Sequence, residues 1–326
     1  MANPVEVNTS RQVKTKPKAK RSFGAFIKNY AFLLMLLPAL VLYGLFIIYP
    51  FVSSIIMSFF QWSGIGPMND FVGFDNYVKW LTEEPFSTMF YRALGHNIIV
   101  FIINIIISIF FGMFIAYLLS QKIRGAGIYK TLFFMPHTLS LAVVAFLWGL
   151  MLNPQWGVIN KLLKAVGLND LALPWLGGEH TALPVIILIG LWHSLGFPIL
   201  VFLAAMISIP RSLIEAAIVD GASSFKIFTK IVFPLLMPPL LTIAVLTFIG
   251  SFGTFELIFL LEGAEAGPFY STDVLGTLFY RTAFGGMGST GTGMGLGASL
   301  ATMMFVMVVP VSLLAVYLQR KYDVKY

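Results

Sequence analysis

Six apolar runs constrain this chain more than anything else in it. They cover approximately residues 32–51, 97–119, 132–152, 183–207, 235–261 and 296–318. Each is long enough to cross about 30 Å of hydrocarbon at 1.5 Å per residue. Within lipid an open chain satisfies its backbone N–H and C=O groups only as a helix. The expected fold class is therefore an all-α membrane protein with six transmembrane helices. Composition agrees, since 58% of residues are hydrophobic and 11% are charged, against about 25% charged in a soluble domain. Pro38 and Pro50 in the first run, with apolar residues continuing to Phe60, predict a longer and kinked first helix.

Orientation follows from the 21 Lys and Arg residues, none of which lies inside a run. With a cytoplasmic N-terminus, sixteen fall on inner segments. Five (Lys79, Arg92, Lys161, Lys164 and Arg281) fall on outer ones. The positive-inside rule then places both termini in the cytoplasm. Seven of the sixteen are in residues 1–30 (Arg11, Lys14, Lys16, Lys18, Lys20, Arg21 and Lys28). No small-residue cleavage site follows a short apolar core there, so this stretch reads as a basic cytoplasmic tail, not a signal peptide. The expected organisation is this tail, a membrane domain over 31–322 and a short C-terminal tail over 323–326. The net charge of +7 is a topology signal that also suits anionic inner-leaflet lipid. Nucleic-acid binding would need basic residues interleaved with aromatics on one folded face, and no such pattern is present.

Between the fourth and fifth runs, residues 208–234 form a polar island, which the charge count puts on the cytoplasmic side. Pro210 suits a first helical turn. Gly221 can take the positive φ that ends a helix, Ser223 or Ser224 can cap the next one, and Pro234 is expected to stop it. The segment reads as two short helices with a break. Its string Glu215-Ala216-Ala217, then Asp220-Gly221-Ala222 and Phe225-Lys226, ends in Ile231-Val232-Phe233-Pro234. This string resembles the coupling loop of bacterial ABC-importer permeases, in the maltose-type, carbohydrate-uptake branch. Other boxes are similar to that family in order and spacing. They are Phe71-x-Gly73-x-x-Asn76-Tyr77, Asn153-Pro154-x-x-Gly157-x-x-Asn160, the segment from Gly125 to Pro136, and Trp192-x-x-x-Gly196-Phe197.

The resemblance implies a type I importer permease fold in a bacterial inner membrane and a binding-protein-dependent transport system. It implies a homologous second permease, two copies of a cytoplasmic ABC ATPase and an extracytoplasmic solute-binding protein that docks on outer loops 61–96, 153–182 and 262–295. Glu215, Ala216, Ala217, Asp220, Gly221, Ala222, Phe225 and Lys226 would then engage the ATPase. The cargo would be a carbohydrate, with glycerol phosphate or another polyol derivative as an alternative. Phosphate would favour Lys or Arg in the pathway, and the runs hold none. A secondary carrier is the other class to weigh. Carriers show inverted repeats, helices broken at mid-membrane and several buried charges, whereas this chain has no clear repeat and a single Asp, Glu, Lys or Arg in its runs, Glu256.

Glu256 is the first candidate for the substrate pathway, because a charge at that depth usually faces a cavity. Phe252 and Phe255 beside it offer aromatic faces for a sugar ring. Solvation near the outer end, or bonding within the helix, would also explain it. His193, Trp192 and Asn104 complete the candidates. An interhelical hydrogen bond is the competing account of His193, packing that of Trp192. His137, next to Pro136, reads as structural. Gly286-x-Gly288-x-x-Gly291 spells a dinucleotide fingerprint but lacks the strand and soluble helix it needs. Close helix packing through Gly291/Gly295 and Gly293/Gly297 is the better account. No Gly-Lys pair exists for a P-loop, no HExxH for a metalloprotease, and no cysteine. The four histidines (His96, His137, His180 and His193) are scattered. No cofactor or metal is expected, and the chain is not expected to be an enzyme.

Overall fold

The computed structural model describes residue 33 and residues 35–121, 123–285 and 293–322. The basic tail, the stretch around Gly288 and the tail 323–326 lie outside these. The chain divides into two units, Met1–Val52 and Ser53–Tyr326. In the first, the helix that opens the span Met35–Met57 is not uniform. A π-turn covers Gly44–Ile48, and the Tyr49 N–H reaches back five residues to the Gly44 carbonyl. The wider turn sits directly before Pro50, whose missing N–H and crowding ring disrupt an ordinary ladder.

The same device recurs in the second unit and corrects one expectation. Pro234 does not stop its helix. A π-turn over Phe228–Val232, with Phe233 N–H on the Phe228 carbonyl, precedes it. Helical turns then continue through Phe233–Leu235 into Met237–Phe252.

Long apolar helices run over Phe86–Ser120, Met237–Glu262 and Met294–Lys321, and two bent pairs complete the set of candidate spans. The second span starts at Phe86, earlier than residue 97, and so carries Arg92 and His96 on the helix. The third is two helices, Ala126–Thr138 and Leu141–Met151, meeting at 97°. Pro136 lies in a tight turn over Met135–Thr138, and Ser140 caps the next helix by accepting the Val143 N–H. The fourth, Ala182–Ser194 and Gly196–Ser208, bends by 41° at Leu195. The fifth opens at Gly253, Thr254 and Phe255, between Met237–Phe252 and Glu256–Glu262.

Packing joins the second span to the fourth. Met113, Ala116, Ile199, Phe202, Leu203 and Met206 share one buried cluster. A Cβ on Gly112 would stand 3.2 Å from Pro198 Cβ, so the glycine sets how closely the two helices approach.

Several sequence boxes turn out to be locks on turns. Asn76 Nδ2 donates to the carbonyls of Ser58 and Phe60, at 2.9 and 3.0 Å, closing the end of the first span. Tyr77 meets the Ser58 hydroxyl there. Asn153 Oδ1 accepts the N–H groups of Gln155 and Trp156. Asn160 donates to the Leu173 carbonyl and accepts from Trp175 Nε1. In the sixth span a Cβ on Gly295 would collide with the Phe60 carbonyl, and one on Gly297 would stand 2.7 Å from Ala283 Cβ.

Between the fifth and sixth spans a buried ion cluster fixes the chain. Asp273 is fully buried and its carboxylate accepts from Arg281 at 2.8 and 3.3 Å and from Thr277 at 2.8 Å. Arg92, on the second span, adds a longer ion pair at 3.5 Å. Both guanidinium groups lie over the Tyr270 ring, at 4.9 and 4.7 Å. Removing one partner of a buried pair leaves uncompensated charge, at a cost of about 3–5 kcal/mol. Asp273→Ala is therefore expected to lower the heat-unfolding midpoint of the detergent-purified protein sharply, while Asp170→Ala, on an exposed turn, leaves it unchanged. Equal midpoints in the two variants would refute the role given to the cluster.

Candidate functional site

Two sites stand out, one at each end of the path from the fourth span to the sixth. The first is the polar segment ahead of the fifth span. A helix over Arg211–Val219 follows Pro210. Gly221 takes φ +73°, and the Ala222 N–H returns to the Ala217 carbonyl at 2.9 Å, as a helix ending in a left-handed residue requires. Ser223 then caps Ser224–Ile227 by accepting the Lys226 N–H.

Of the residues singled out by sequence, Glu215, Ala216, Asp220, Gly221, Phe225 and Lys226 are exposed, and Ala217 and Ala222 are half-buried. No cation among the described residues pairs with Glu215. Val219 is 87% exposed and Phe225 74%. Each stands beside the glycine turn, so the knuckle presents two large apolar side chains next to unpaired charges. An exposed apolar patch rimmed by charge marks a protein-binding surface.

The second site is a cleft of about 370 Å³ between the second, fourth and fifth spans, also bordered by the bend of the third. The second span contributes Val100, Asn104 and Ser108, which recur at helical spacing on one face. The opened turn of the fifth span contributes Gly253, Thr254, Phe255 and Glu256. Opening the helix there turns Glu256 into the first residue of a new helix, and its side chain is exposed to the cleft with no cationic partner among the described residues. Phe255 stacks with Phe259 and Tyr280 at 5.1 and 5.4 Å.

His193 and His137 face each other across the cleft wall, ring centroids 5.6 Å apart. His193 Nε2 donates to the Leu139 carbonyl at 3.0 Å. That carbonyl lies in the bend of the third span, where no helical N–H reaches it. The cleft lining thus brings together Glu256, Phe255, His193 and Asn104. It does not include Phe252, which is buried beside Phe90, Leu275 and Leu278. Nor does it include Trp192, which packs edge-on against Trp148 at 5.6 Å. His137, which reads from sequence as structural, also lines it, as do Ser108, Thr247 and Thr254, which sequence reading passed over. The signal for the last was present: Ser251 and Thr254, each directly after a glycine, interrupt an otherwise apolar run.

Comparison with known proteins places the chain in a family. Residues 108–324 match the family model described as "Binding-protein-dependent transport system inner membrane component". The chain is 34% identical to a probable ABC transporter permease protein, YurN, of Bacillus subtilis, over 86% of this chain and 93% of that one. It is 29% identical to the multiple sugar-binding transport system permease protein MsmF of Streptococcus mutans, over 91% and 97%. It is 32% identical to the sn-glycerol-3-phosphate transport system permease protein UgpA of Yersinia enterocolitica, over 78% and 83%. A crystal structure of a bacterial ABC transporter for import of the acidic polysaccharide alginate aligns with a TM-score of 0.76. It is 25% identical and covers 92% of this chain and 99% of that one. The same transporter in complex with an alginate pentasaccharide-bound periplasmic protein aligns with a TM-score of 0.75. It is 24% identical and covers 93% and 98%.

The close crossing of the third and fourth spans beside the cleft rests on Gly196. A Cβ there would overlap the Phe133 carbonyl and stand 2.8 Å from Phe134 Cα, whereas one on Gly190 would meet only Leu257 Cδ2 at 3.7 Å. Overpacking costs about 1–3 kcal/mol. Gly196→Ala is expected to lower the unfolding midpoint and Gly190→Ala to leave it in place; identical midpoints would show that the two spans do not cross this closely.

Proposed function

Because the chain belongs to the family of binding-protein-dependent transport system inner membrane components, we propose that it lines half of the pathway of an ATP-driven importer whose cargo is a sugar or oligosaccharide. It is a multi-pass permease with the fold of ABC importers. The remaining half of the pathway belongs to a homologous permease. Energy comes from a cytoplasmic ATPase pair and cargo from an extracytoplasmic binding protein. The Lys and Arg distribution supports a topology in which both termini and residues 208–234 face the cytoplasm, with residues 262–295 outside.

In this scheme the knuckle at Gly221 seats in a groove of the ATPase. Val219 and Phe225 supply apolar contact, and Glu215 meets a basic group of the partner. Closure of the ATPase dimer on ATP pulls the knuckle and turns the spans outward; hydrolysis reverses the movement. Residues 31–322 form the membrane domain in which this occurs. Pathway contact is assigned to Glu256, Phe255, His193 and Asn104. Phe252 and Trp192 stand behind the wall as packing.

The observation that carries the cargo reading is the chemistry of the cleft. A carboxylate, an imidazole pair, an amide and hydroxyls line it beside an aromatic ring, with no Lys or Arg among them. Such groups exchange hydrogen bonds with sugar hydroxyls. The UgpA relative favours glycerol phosphate as a second reading, but a phosphate entering this half would meet Glu256 and no cation. Screening the cognate binding protein against neutral sugars and glycerol phosphate separates the two.

Two measurements test the scheme. Gly221→Val forces a β-branched residue into positive φ where no neighbour obstructs a side chain, so the damage is confined to the turn. Uptake should vanish while the protein still inserts; normal uptake would defeat the coupling assignment. Glu256→Gln should raise the KM for uptake by about tenfold, the size of one charged hydrogen bond, with ATPase assembly unchanged. An unchanged KM would make Glu256 structural.

A further inference from the structure

Asn97 is fully buried on the second span and is absorbed by neither site described above. Its Nδ2 donates to the Ser251 carbonyl at 2.7 Å, and its Oδ1 accepts the Leu275 N–H at 2.8 Å. Ser251 is in the last turn before the opening of the fifth span, where carbonyls have lost their helical donors. Leu275 is the first residue of the helix Leu275–Phe284, whose leading N–H groups have no helical acceptor. One amide therefore closes two helix ends that belong to different parts of the chain.

The contact around it is rigid. On the same helix, Arg92, five residues earlier, pairs with Asp273, and His96, directly before Asn97, donates from Nδ1 to the Asp273 carbonyl at 2.6 Å. One and two turns later, Val100 and Asn104 line the cleft. Gly276 presses directly on the opening: a Cβ there would stand 2.8 Å from Phe255 Cβ and 3.0 Å from the Thr254 carbonyl. The helix Leu275–Phe284 thus rests on the very residues that bring Glu256 to the cleft. A single helix face holds that segment above and forms the cleft wall below.

We propose that Asn97 is a positioning residue that couples the segment between the fifth and sixth spans to the cleft. Displacement of Leu275–Phe284 by a docking binding protein moves the Ser251 carbonyl and the opened turn, and with them Glu256. This rests on the importer reading, in which the segment carrying Leu275–Phe284 faces the binding protein. Asn97 touches no cargo.

The test uses the complete importer, with both permeases, the ATPases and the binding protein, in lipid nanodiscs. ATP hydrolysis is measured with and without sugar-loaded binding protein. Because the chain has no cysteine, a Thr247→Cys substitution on the cleft wall reports opening by its maleimide labelling rate. Asn97→Leu removes both bonds at similar volume. Gly276→Ala keeps Asn97 and disturbs only the contact with Phe255, so it decides the matter if Asn97→Leu fails to assemble. Both variants should keep basal hydrolysis near the parent's. Stimulation by the binding protein and the change in labelling should fall by about tenfold in Asn97→Leu, the effect of a buried polar group left unpaired, and should also fall in Gly276→Ala, whose Cβ crowds Phe255. Parental stimulation and labelling in an assembled variant overturn the proposal. So does a fall in basal hydrolysis with an unchanged stimulation ratio, which a purely structural role would give. A parent importer that ignores the binding protein overturns the importer reading itself, and the proposal with it.

Discussion

Every backbone polar group at membrane depth must find a partner inside the protein, and the rest of this structure depends on how three interrupted spans meet that demand. The third span bends at Leu139 and Ser140, the fourth at Leu195, the fifth at Gly253, Thr254 and Phe255. The breaks in the third and fifth free carbonyls or N–H groups that lipid cannot satisfy, whereas across the bend of the fourth the Leu195 N–H still reaches the Leu191 carbonyl and the Ile199 N–H the Leu195 carbonyl. Side chains take their place. Ser140 accepts the Val143 N–H, His193 serves the Leu139 carbonyl, Thr254 Oγ1 returns to the Gly250 carbonyl, and Asn97 serves the Ser251 carbonyl. The fold tolerates broken helices because a small set of polar residues is spaced to repair them.

Those repairs coincide with the cleft. His193, Thr254 and Ser251 line it, and Asn97 stands one turn from Val100, which also does. Helix breaks put backbone polar groups and short side chains where a polar molecule can reach them, whereas an unbroken apolar helix would offer only hydrocarbon.

How far the sequence revealed this depends on the length scale of each signal. The six runs were legible because hydrophobicity over some twenty residues is additive and needs no knowledge of neighbours. The knuckle at Gly221 was legible because turn chemistry is local: Gly221 and Ser223 occupy the positive-φ and capping roles that their residue types allow. Pro234 misled, since a proline's effect depends on whether the preceding turn can widen, and Phe228–Val232 does. Glu256, Phe255, His193 and Asn104 were drawn from an apolar background as polar or aromatic exceptions, and the cleft gathers them. Trp192 was drawn by adjacency to His193, but adjacent helical residues point about 100° apart; Phe252 would share a face with Glu256 four residues on in an unbroken helix, but the opening at Gly253, Thr254 and Phe255 undoes that register. Asn97 and Asp273 were invisible, because their partners are roughly 150 or more residues away, or on a segment that reads as loop.

The buried charges sharpen the same point. Arg281 and Asp273 sit between spans, with Arg92 reaching toward them from the second, and both guanidinium groups lie over the Tyr270 ring. Replacing a buried pair by apolar residues is often neutral or stabilising, so stability alone does not account for the choice of ions here. Geometry does. A bidentate arginine fixes direction as well as distance, and Asp273 is two residues ahead of Leu275, whose N–H Asn97 holds. The ions therefore set the angle at which Leu275–Phe284 meets the opening of the fifth span, a task that apolar packing, which lacks direction, performs less well. The cluster orients the helix, Asn97 ties it to the span, and the absent side chain of Gly276 lets the two touch.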